Sequence, residues 1–154
     1  MSVQVVPSSA FITMPWANGQ GQTCQLFKLV HPLKPDQFAL RLSVATVSQG
    51  SPFSSFVGID RQLSLLEGDG MVLTMEDGSK HILDVPGKVV EFGGEVKVDC
   101  ELIGGVLRDF NVMVARDWGT AIGPFEYRIV KEEWVWRAVL KTGASFIFTL
   151  ELGN

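Results

Sequence analysis

The chain has 154 residues, of which 46% are hydrophobic and 19% charged, with a formal net charge of −4. This length suits one domain, which buries roughly 70% of its unfolded surface. Its 13 basic residues are scattered, whereas nucleic-acid binding requires a basic stripe. No apolar run approaches the roughly 20 residues that span a bilayer. We therefore expect a single domain over residues 1–154 that contacts neither nucleic acid nor membranes.

The N-terminal segment lacks the basic start and apolar centre of a signal peptide. This absence predicts a cytoplasmic protein. The two cysteines, Cys24 and Cys100, are accordingly expected to be reduced thiols rather than a disulfide.

Short runs rich in Val, Ile, Leu and Phe, separated by glycine and proline, predict β-strands along the whole chain. An Asp-Gly pair at 77–78 is typical of a hairpin turn. No stretch longer than ten residues has a clean helical period, so the pattern predicts an all-β sandwich or barrel. The predicted strands are 24–30, 38–49, 62–67, 71–76, 81–85, 89–92, 96–103, 110–116, 125–131, 134–141 and 145–152.

One strand carries an arginine on a face that is otherwise small and apolar. Arg41, Ser43 and Ala45 alternate with residues 42, 44 and 46, the period of a strand with two different faces. A guanidinium holds a carboxylate through two parallel hydrogen bonds, and burial strengthens the contact. We expect this face to line a cavity that receives an anion or another polar ligand.

The loop at 14–23 combines a proline, a tryptophan, an asparagine and two glycines. In one interpretation it is a clamp over the cavity mouth, where Trp16 supplies apolar area and Asn18 supplies a donor and an acceptor. In the other, Trp16 plugs the end of the barrel and Asn18 caps a turn.

A third segment, 104–116, places Arg108 on one strand face, and Asp109, Asn111 and Met113 on the other. Asn111 must find a hydrogen bond if it is buried. Alternatively, Arg108 and Asp109 form an exposed start of the strand, where their charges contribute little to stability.

Histidine is scarce, with only His31 and His81 in the chain. Neither sits in a His-X-His or Cys-X-X-Cys pattern, and neither lies near a nucleophile elbow. We expect no metal and no other cofactor, and we expect both histidines to be solvated surface residues.

These segments together resemble the HutD/Ves family of bacterial proteins, in the cupin superfamily. The shared motifs include Pro-Trp-x-Asn-Gly-x-Gly, Arg-Leu-Ser-x-Ala and Leu-Leu-Glu-Gly-Asp-Gly. Five blocks agree in order and approximate spacing across residues 10–117, at 15–21, 41–45, 51–61, 65–70 and 108–113.

The resemblance implies an antiparallel cupin-like β-sandwich or barrel of the bicupin type. Because only 37 residues follow Asp117, the second half is expected to be shortened. The resemblance also implies a link to histidine utilisation, in which family members are suggested to sense or buffer a pathway intermediate. Such intermediates are small carboxylic acids, which fits an arginine on a cavity-lining strand.

Besides the shortened second half, the chain departs from the family pattern after the tryptophan loop. Relatives continue the tryptophan loop with Thr-Arg-Glu, whereas this chain has Thr23-Cys24-Gln25 and lacks both charges. If those charges contact ligand in relatives, this protein binds something else or binds more weakly.

The C-terminal part is rich in aromatic side chains, which either close the core or form a homodimer interface. They are Trp118, Phe125, Tyr127, Trp134, Trp136, Phe146 and Phe148.

The leading hypothesis is a non-enzymatic binder or sensor of a small carboxylate metabolite. One alternative is a metal-free cupin isomerase or hydrolase with Glu67, Asp60 or Asp109 as its acid or base. Another is a structural or regulatory protein that works through a dimer interface. The expected ligand-binding residues are Trp16, Asn18, Arg41, Ser43, Arg61, Arg108 and Asn111.

Overall fold

A computed structural model describes the backbone of residues 2–6, 8–130, 133–142 and 147–152, and the side chains of residues 9–120. Within these ranges the helical content is one 3-10 turn at Ser8–Ala10, so the predicted all-β class is confirmed. Among the described residues, no helix has the length and hydrophobicity of a membrane-spanning segment. The strands are β1 Ser2–Val6, β2 Ile12–Pro15, β3 Gly21–Val30, β4 Phe38–Val47, β5 Ser51–Pro52, β6 Ile59–Glu67, β7 Met71–Met75, β8 Lys80–Leu83, β9 Val89–Gly93, β10 Val98–Leu102, β11 Leu107–Ala115, β12 Gly119–Val130, β13 Glu133–Thr142 and β14 Ile147–Leu152.

The described strands form three sheets. The largest has six strands in the order β2-β3-β4-β11-β6-β9, and a second has four in the order β5-β10-β7-β8. The third contains β1-β14-β13-β12. The described pairs are antiparallel as predicted, except that β1 runs parallel to β14.

Three strands lie outside the predicted set, and several predicted strands begin earlier than expected, among them β3, β6 and β11. β1 and β2 are short, and β2 is exposed along its whole length at the edge of the six-stranded sheet, so it lacks an alternating pattern. β5 has only two residues. β11 begins at Leu107 rather than at residue 110, which places Arg108 and Asp109 inside the strand rather than before it.

The six-stranded sheet buries both of its faces. One face carries a core cluster that includes Leu42, Val44 and Val112. The other carries a second cluster that extends into the four-stranded sheet and includes Leu65 and Leu73. The alternating side chains predicted for β4 therefore point in turn to these two core clusters.

Pairing between β4 and β11 brings polar residues together on the second face. Asn111 is opposite Ser43, and Asp109 is opposite Ala45. On the other side of β11, Arg61 is opposite Met113. Polar side chains from three adjacent strands thus meet at one end of a face that is otherwise apolar.

His31 is buried, with 4% of its surface exposed, so its prediction as a solvated residue was wrong. Its Nδ1 accepts a hydrogen bond from the N–H of Leu33 at 3.1 Å, and its Nε2 lies 2.9 Å from Oδ1 of Asp117. Because Nδ1 is an acceptor, the neutral ring carries its proton on Nε2 and donates it to Asp117. His31 thereby ties the loop after β3 to the turn after β11. His81 is exposed, as predicted.

Replacing His31 by alanine is expected to lower the free energy of unfolding by about 1–3 kcal/mol, because a buried side chain and its hydrogen bond to the exposed Asp117 are lost. Urea denaturation measures this change. Lys34 provides the matched control, since its Nζ contacts the same carboxylate at 2.6 Å from a half-exposed position. Lys34→Ala is expected to cost no more than about 1 kcal/mol. An equal or larger loss in Lys34→Ala would contradict the assigned role of His31.

Candidate ligand-binding cavity

A cavity of about 440 Å³ opens where the polar residues of β4, β6 and β11 meet. Its walls also include the turn between β2 and β3 and the segment that follows β5. The lining residues are Trp16, Ala17, Asn18, Thr23, Arg41, Ser43, Ala45, Val47, Ser51, Pro52, Phe53, Ser54, Phe56, Arg61, Asp109, Asn111 and Met113.

Six of the seven residues expected to bind ligand line this cavity, namely Trp16, Asn18, Arg41, Ser43, Arg61 and Asn111. Arg108 does not line it. Its Nε donates to Oε1 of Glu67 at a partly exposed position. The reason is strand geometry, because residues three apart in a strand point to opposite faces. A site that includes Asn111 therefore excludes Arg108.

Arg61 is the most deeply buried cation of the cavity, with 6% of its surface exposed. Its guanidinium carbon lies 5.2 Å, 5.4 Å and 5.1 Å from the ring centroids of Phe53, Phe56 and Phe92, distances at which cation–π attraction operates. Its Nη2 donates to Oδ1 of Asn111 at 2.9 Å. Its buried Nε has no hydrogen-bond partner among the described residues.

Burial lowers the pKa of Arg61 to about 10, against the opposing effect of Asp109 and with a contribution from the charge of Arg41. The group therefore stays protonated at neutral pH. A desolvated guanidinium with an unused N–H is a strong receptor for an anion, since electrostatic attraction increases as water is excluded.

Asp109 and Arg61 are linked through Asn111. The Nδ2 of Asn111 donates to Oδ1 of Asp109 at 2.9 Å, while its Oδ1 accepts from Arg61. This arrangement supplies the partners that a buried asparagine requires. It also fixes the orientation of the amide, because a guanidinium can only donate and an ionised carboxylate can only accept.

The Asp109 carboxyl is 2% exposed, so the alternative of an exposed strand start was wrong for this residue. Burial raises the pKa of Asp109 to about 7, although Arg61, the backbone N–H of Ala45 and the amide of Asn111 all act to lower it. Asp109 is the one acidic side chain among the described lining residues.

Arg41 lies on β4, across β11 from Arg61, and is half-buried. Its Nε donates to Oε1 of Gln25 at 3.3 Å, and burial lowers its pKa below the usual value. The departure from the family pattern at position 25 therefore falls on the immediate partner of Arg41. Because Gln25 is neutral, it leaves the positive charge of this guanidinium uncompensated.

Trp16 both lines the cavity and packs against the second core cluster, so it combines the two roles considered from sequence. Its indole Nε1 donates to Oγ1 of Thr23 at 2.8 Å. The turn that carries it needs Gly19, whose φ is +71°, a conformation that favours glycine. A Cβ at Gly21 would collide with the backbone carbonyl of residue 46 and lie 2.9 Å from the Trp16 ring.

Asn18 lines the cavity mouth, but its amide is engaged within its own turn. Its Oδ1 accepts the backbone N–H of Gln20 at 2.9 Å, and its Nδ2 donates to the Gln20 side chain at 3.2 Å. The turn-capping interpretation therefore describes its contacts.

Several lining residues were missed from sequence. Asp109 was predicted only as a possible acid or base and not as a ligand-binding residue. It is two residues from Asn111 on the same strand, so its side chain lies on the same face and lines the same cavity. Phe53 and Phe56 stand in the motif at 51–61 but carry no polar group that marks them as site residues. Phe92 reaches Arg61 from β9, 31 positions further along the chain, and no local pattern indicates this contact.

The described side chains form no cluster of metal ligands, and one of the two cysteines is a buried, protonated thiol. The described residues contain no group of three or more His, Cys, Asp or Glu residues placed to hold a metal ion. Both cysteines are free, as predicted. Burial, with the charges of Asp109 and Glu101, raises the pKa of Cys100 to about 12, so this thiol is protonated and unreactive.

The architecture is that of the cupin fold. A solved cupin domain, from Schizosaccharomyces pombe Cnp3, is similar at a TM-score of 0.52 with 13% identity, covering 70% of each chain. That likeness concerns the fold alone. The sequence profile of the HutD family matches residues 8–149, and the chain belongs to this family.

Three relatives from Pseudomonas are similar in sequence. An uncharacterized 21.2 kDa protein in the hutC 3′ region of Pseudomonas putida is 36% identical over 113 residues, which are 73% of this chain and 58% of that protein. HutD from Pseudomonas fluorescens SBW25, solved in a formate condition, is similar at a TM-score of 0.69 with 31% identity, covering 80% of this chain and 65% of that one. A conserved protein of unknown function from Pseudomonas aeruginosa PAO1 is similar at 0.68 with 33% identity, covering 86% and 65%. The chain thus spans about three fifths of the length of these relatives.

The buried carboxyl predicts an unusual dependence of stability on pH. The folded protein holds a proton on Asp109 up to about pH 7, whereas the unfolded chain releases it near the ordinary value of 3.8. Wild-type protein therefore loses stability as the pH rises between these values, by at most about 1.4 kcal/mol per pH unit. Asp109→Asn removes this loss, so its free energy of unfolding is expected to rise relative to wild type from pH 5 to pH 7 and then level off.

Urea denaturation at several pH values measures this difference. Asp77→Asn is the control, because the exposed Asp77 accepts hydrogen bonds from Ser79 that lower its pKa. Its difference from wild type is expected to be constant from pH 5 to pH 7. A constant difference for Asp109→Asn as well, or one that falls with pH, would contradict the assignment.

Proposed function

We propose that the protein is a non-enzymatic binder or sensor of a small carboxylate metabolite, which it holds in this cavity in the cytoplasm without a metal. The observation that carries the proposal is the pairing of Arg41 and Arg61 on one cavity whose described lining has a single carboxyl to balance them. The lining is therefore cationic while Asp109 is ionised, and more so when it is protonated.

The two arginines differ in how they meet a ligand. Arg61 is fixed by three aromatic rings and by Asn111, so it presents an immobilised charge. Arg41 is half-buried and contacts a neutral amide, so its position is set by a weaker contact. A carboxylate between them gains charge-assisted hydrogen bonds while Ser43 and Trp16 contribute a hydroxyl and apolar area.

The identity of the metabolite is argued from the family. A relative is described as lying in a hutC 3′ region, and another is HutD itself. We infer that the ligand is an acid of histidine degradation, since such acids carry the carboxylate that the two arginines fit.

An enzymatic function is the second candidate, and the structure reduces its possible acids or bases to one. Of the three acids considered, Asp60 pairs with Arg116, and Glu67 pairs with Arg108, both at exposed positions away from the cavity. Asp109 alone lines it, with a pKa suited to proton transfer near neutral pH. Turnover of a small acid by wild type that is lost in Asp109→Asn would favour an isomerase or hydrolase over a binder.

A homodimer through the C-terminal aromatic segment remains a further proposal. Trp118 is partly buried and packs against the first and third core clusters. The other rings, at positions 125, 127, 134, 136, 146 and 148, lie outside the described side chains.

The proposed site is tested by Arg41→Ala. A ligand at a hundred times its Kd adds about 2.7 kcal/mol to the free energy of unfolding, and this stabilisation is expected to be lost in the variant. Thermal denaturation with a panel of simple carboxylates and acids of histidine degradation measures it.

Arg108→Ala is the matched control, because it removes an arginine from the same sheet that lies outside the cavity. It is expected to keep the full ligand-induced stabilisation. A folded Arg41→Ala protein that binds as well as wild type would overturn the proposal. It would also be overturned if no acid of the panel stabilised the wild-type protein.

A further inference from the structure

We propose that binding of an anion in the cavity is coupled to the uptake of a proton by Asp109. The inference rests on the proposed carboxylate binding and adds the regulation of that site by pH. In this description the protein binds its ligand more tightly in weakly acidic than in weakly alkaline solution.

The geometry that carries the coupling is the hydrogen-bonded chain from Asp109 through Asn111 to Arg61. Both contacts measure 2.9 Å, and all three residues line the cavity and are at least nine-tenths buried. When Asp109 is ionised, it compensates the charge of Arg61 from inside the wall. When it is neutral, the charge of Arg61 acts on the ligand without this compensation.

Few other charged groups face Asp109. Arg61 on β6 and Arg41 on β4 are cations that stay protonated across the neutral range. Cys100 on β10 interacts with Asp109 but remains a neutral thiol in that range. On β11 itself, Asn111 is neutral, and Arg108 points to the opposite face. Among the described lining residues, Asp109 is therefore the group whose charge changes near neutral pH.

The direction of the coupling follows from charge. An anionic ligand is repelled by an ionised Asp109 and not by a neutral one, so bound anion raises the proton affinity of the carboxyl. Linkage then requires that protonation of Asp109 raise the affinity for the anion by the same factor. Because burial already raises the pKa of Asp109 to about 7 in the empty cavity, the affinity is expected to fall between pH 6 and pH 8, by at most about tenfold.

The test measures the dissociation constant of ¹³C-formate by NMR at pH 6, 7 and 8 and constant ionic strength. Formate carries a carboxylate and nothing else, and it is ionised throughout this range, so any pH dependence belongs to the protein. Wild type is expected to show this fall in affinity. Asp109→Asn is expected to be independent of pH and to bind at pH 8 within about threefold of wild type at pH 6, since asparagine mimics the neutral carboxyl.

Asp60→Asn is the control variant, because Asp60 is an exposed carboxylate on a neighbouring strand that pairs with Arg116 outside the cavity. It is expected to keep the pH dependence of wild type. A second measurement needs no variant: addition of sodium formate to wild-type protein at pH 7 in a pH-stat is expected to consume protons, whereas sodium chloride at equal ionic strength does not.

The outcomes separate the two proposals. Formate binding that is equally tight at pH 6 and pH 8, or that consumes no protons, overturns the coupling and leaves carboxylate binding in place. Retention of the pH dependence in folded Asp109→Asn also overturns it. A failure of formate to bind wild type at pH 6 overturns the proposed function and the coupling together.

Discussion

The buried positive charge of Arg61 is the constraint on which the rest of the cavity depends. Burying a guanidinium costs free energy unless its surroundings replace the water that it loses. Here three phenyl rings face its guanidinium, and an asparagine accepts one of its N–H groups. The buried Nε–H is left without a partner among the described residues, so this compensation is incomplete.

The same constraint explains why the acid beside Arg61 is not a simple ion-pair partner. Asp109 reaches Arg61 through the amide of Asn111 rather than through a direct contact. An intervening amide weakens the Coulomb attraction with distance, while burial disfavours the ionised carboxyl. The wall of the cavity thereby holds an uncompensated cation and an acid whose pKa lies near 7. A direct salt bridge would neutralise the cation and lower the pKa of the acid.

Much of this arrangement could be predicted from sequence because strands impose a period of two. The Arg41 to Ala45 alternation identified the cavity face of β4 correctly, and the HutD resemblance and the all-β class are confirmed. The same rule places Arg108 on the face opposite Asn111, and it does not line the cavity. Asp109 was predicted only as an acid or base of the enzymatic alternative and not as a ligand-binding residue, although it shares a strand face with Asn111.

Other features depend on contacts that no local pattern encodes. The rings around Arg61 come from the segment after β5 and from β9, and they meet only when the sheets close. His31 was expected at the surface because a histidine before a proline-rich loop looks solvated, yet it contacts Asp117, which is 86 positions away. Burial of this kind is set by tertiary packing, so composition and spacing do not reveal it.

The fixed orientation of the Asn111 amide has a consequence for how the family can vary. Its oxygen must face a donor and its nitrogen must face an acceptor. An aspartate at this position would set a second negative charge beside Asp109, and a leucine would leave both neighbours without their hydrogen bonds. Residues 61, 109 and 111 are therefore viable only in matched combinations, so in natural relatives they are expected to be inherited together or replaced together.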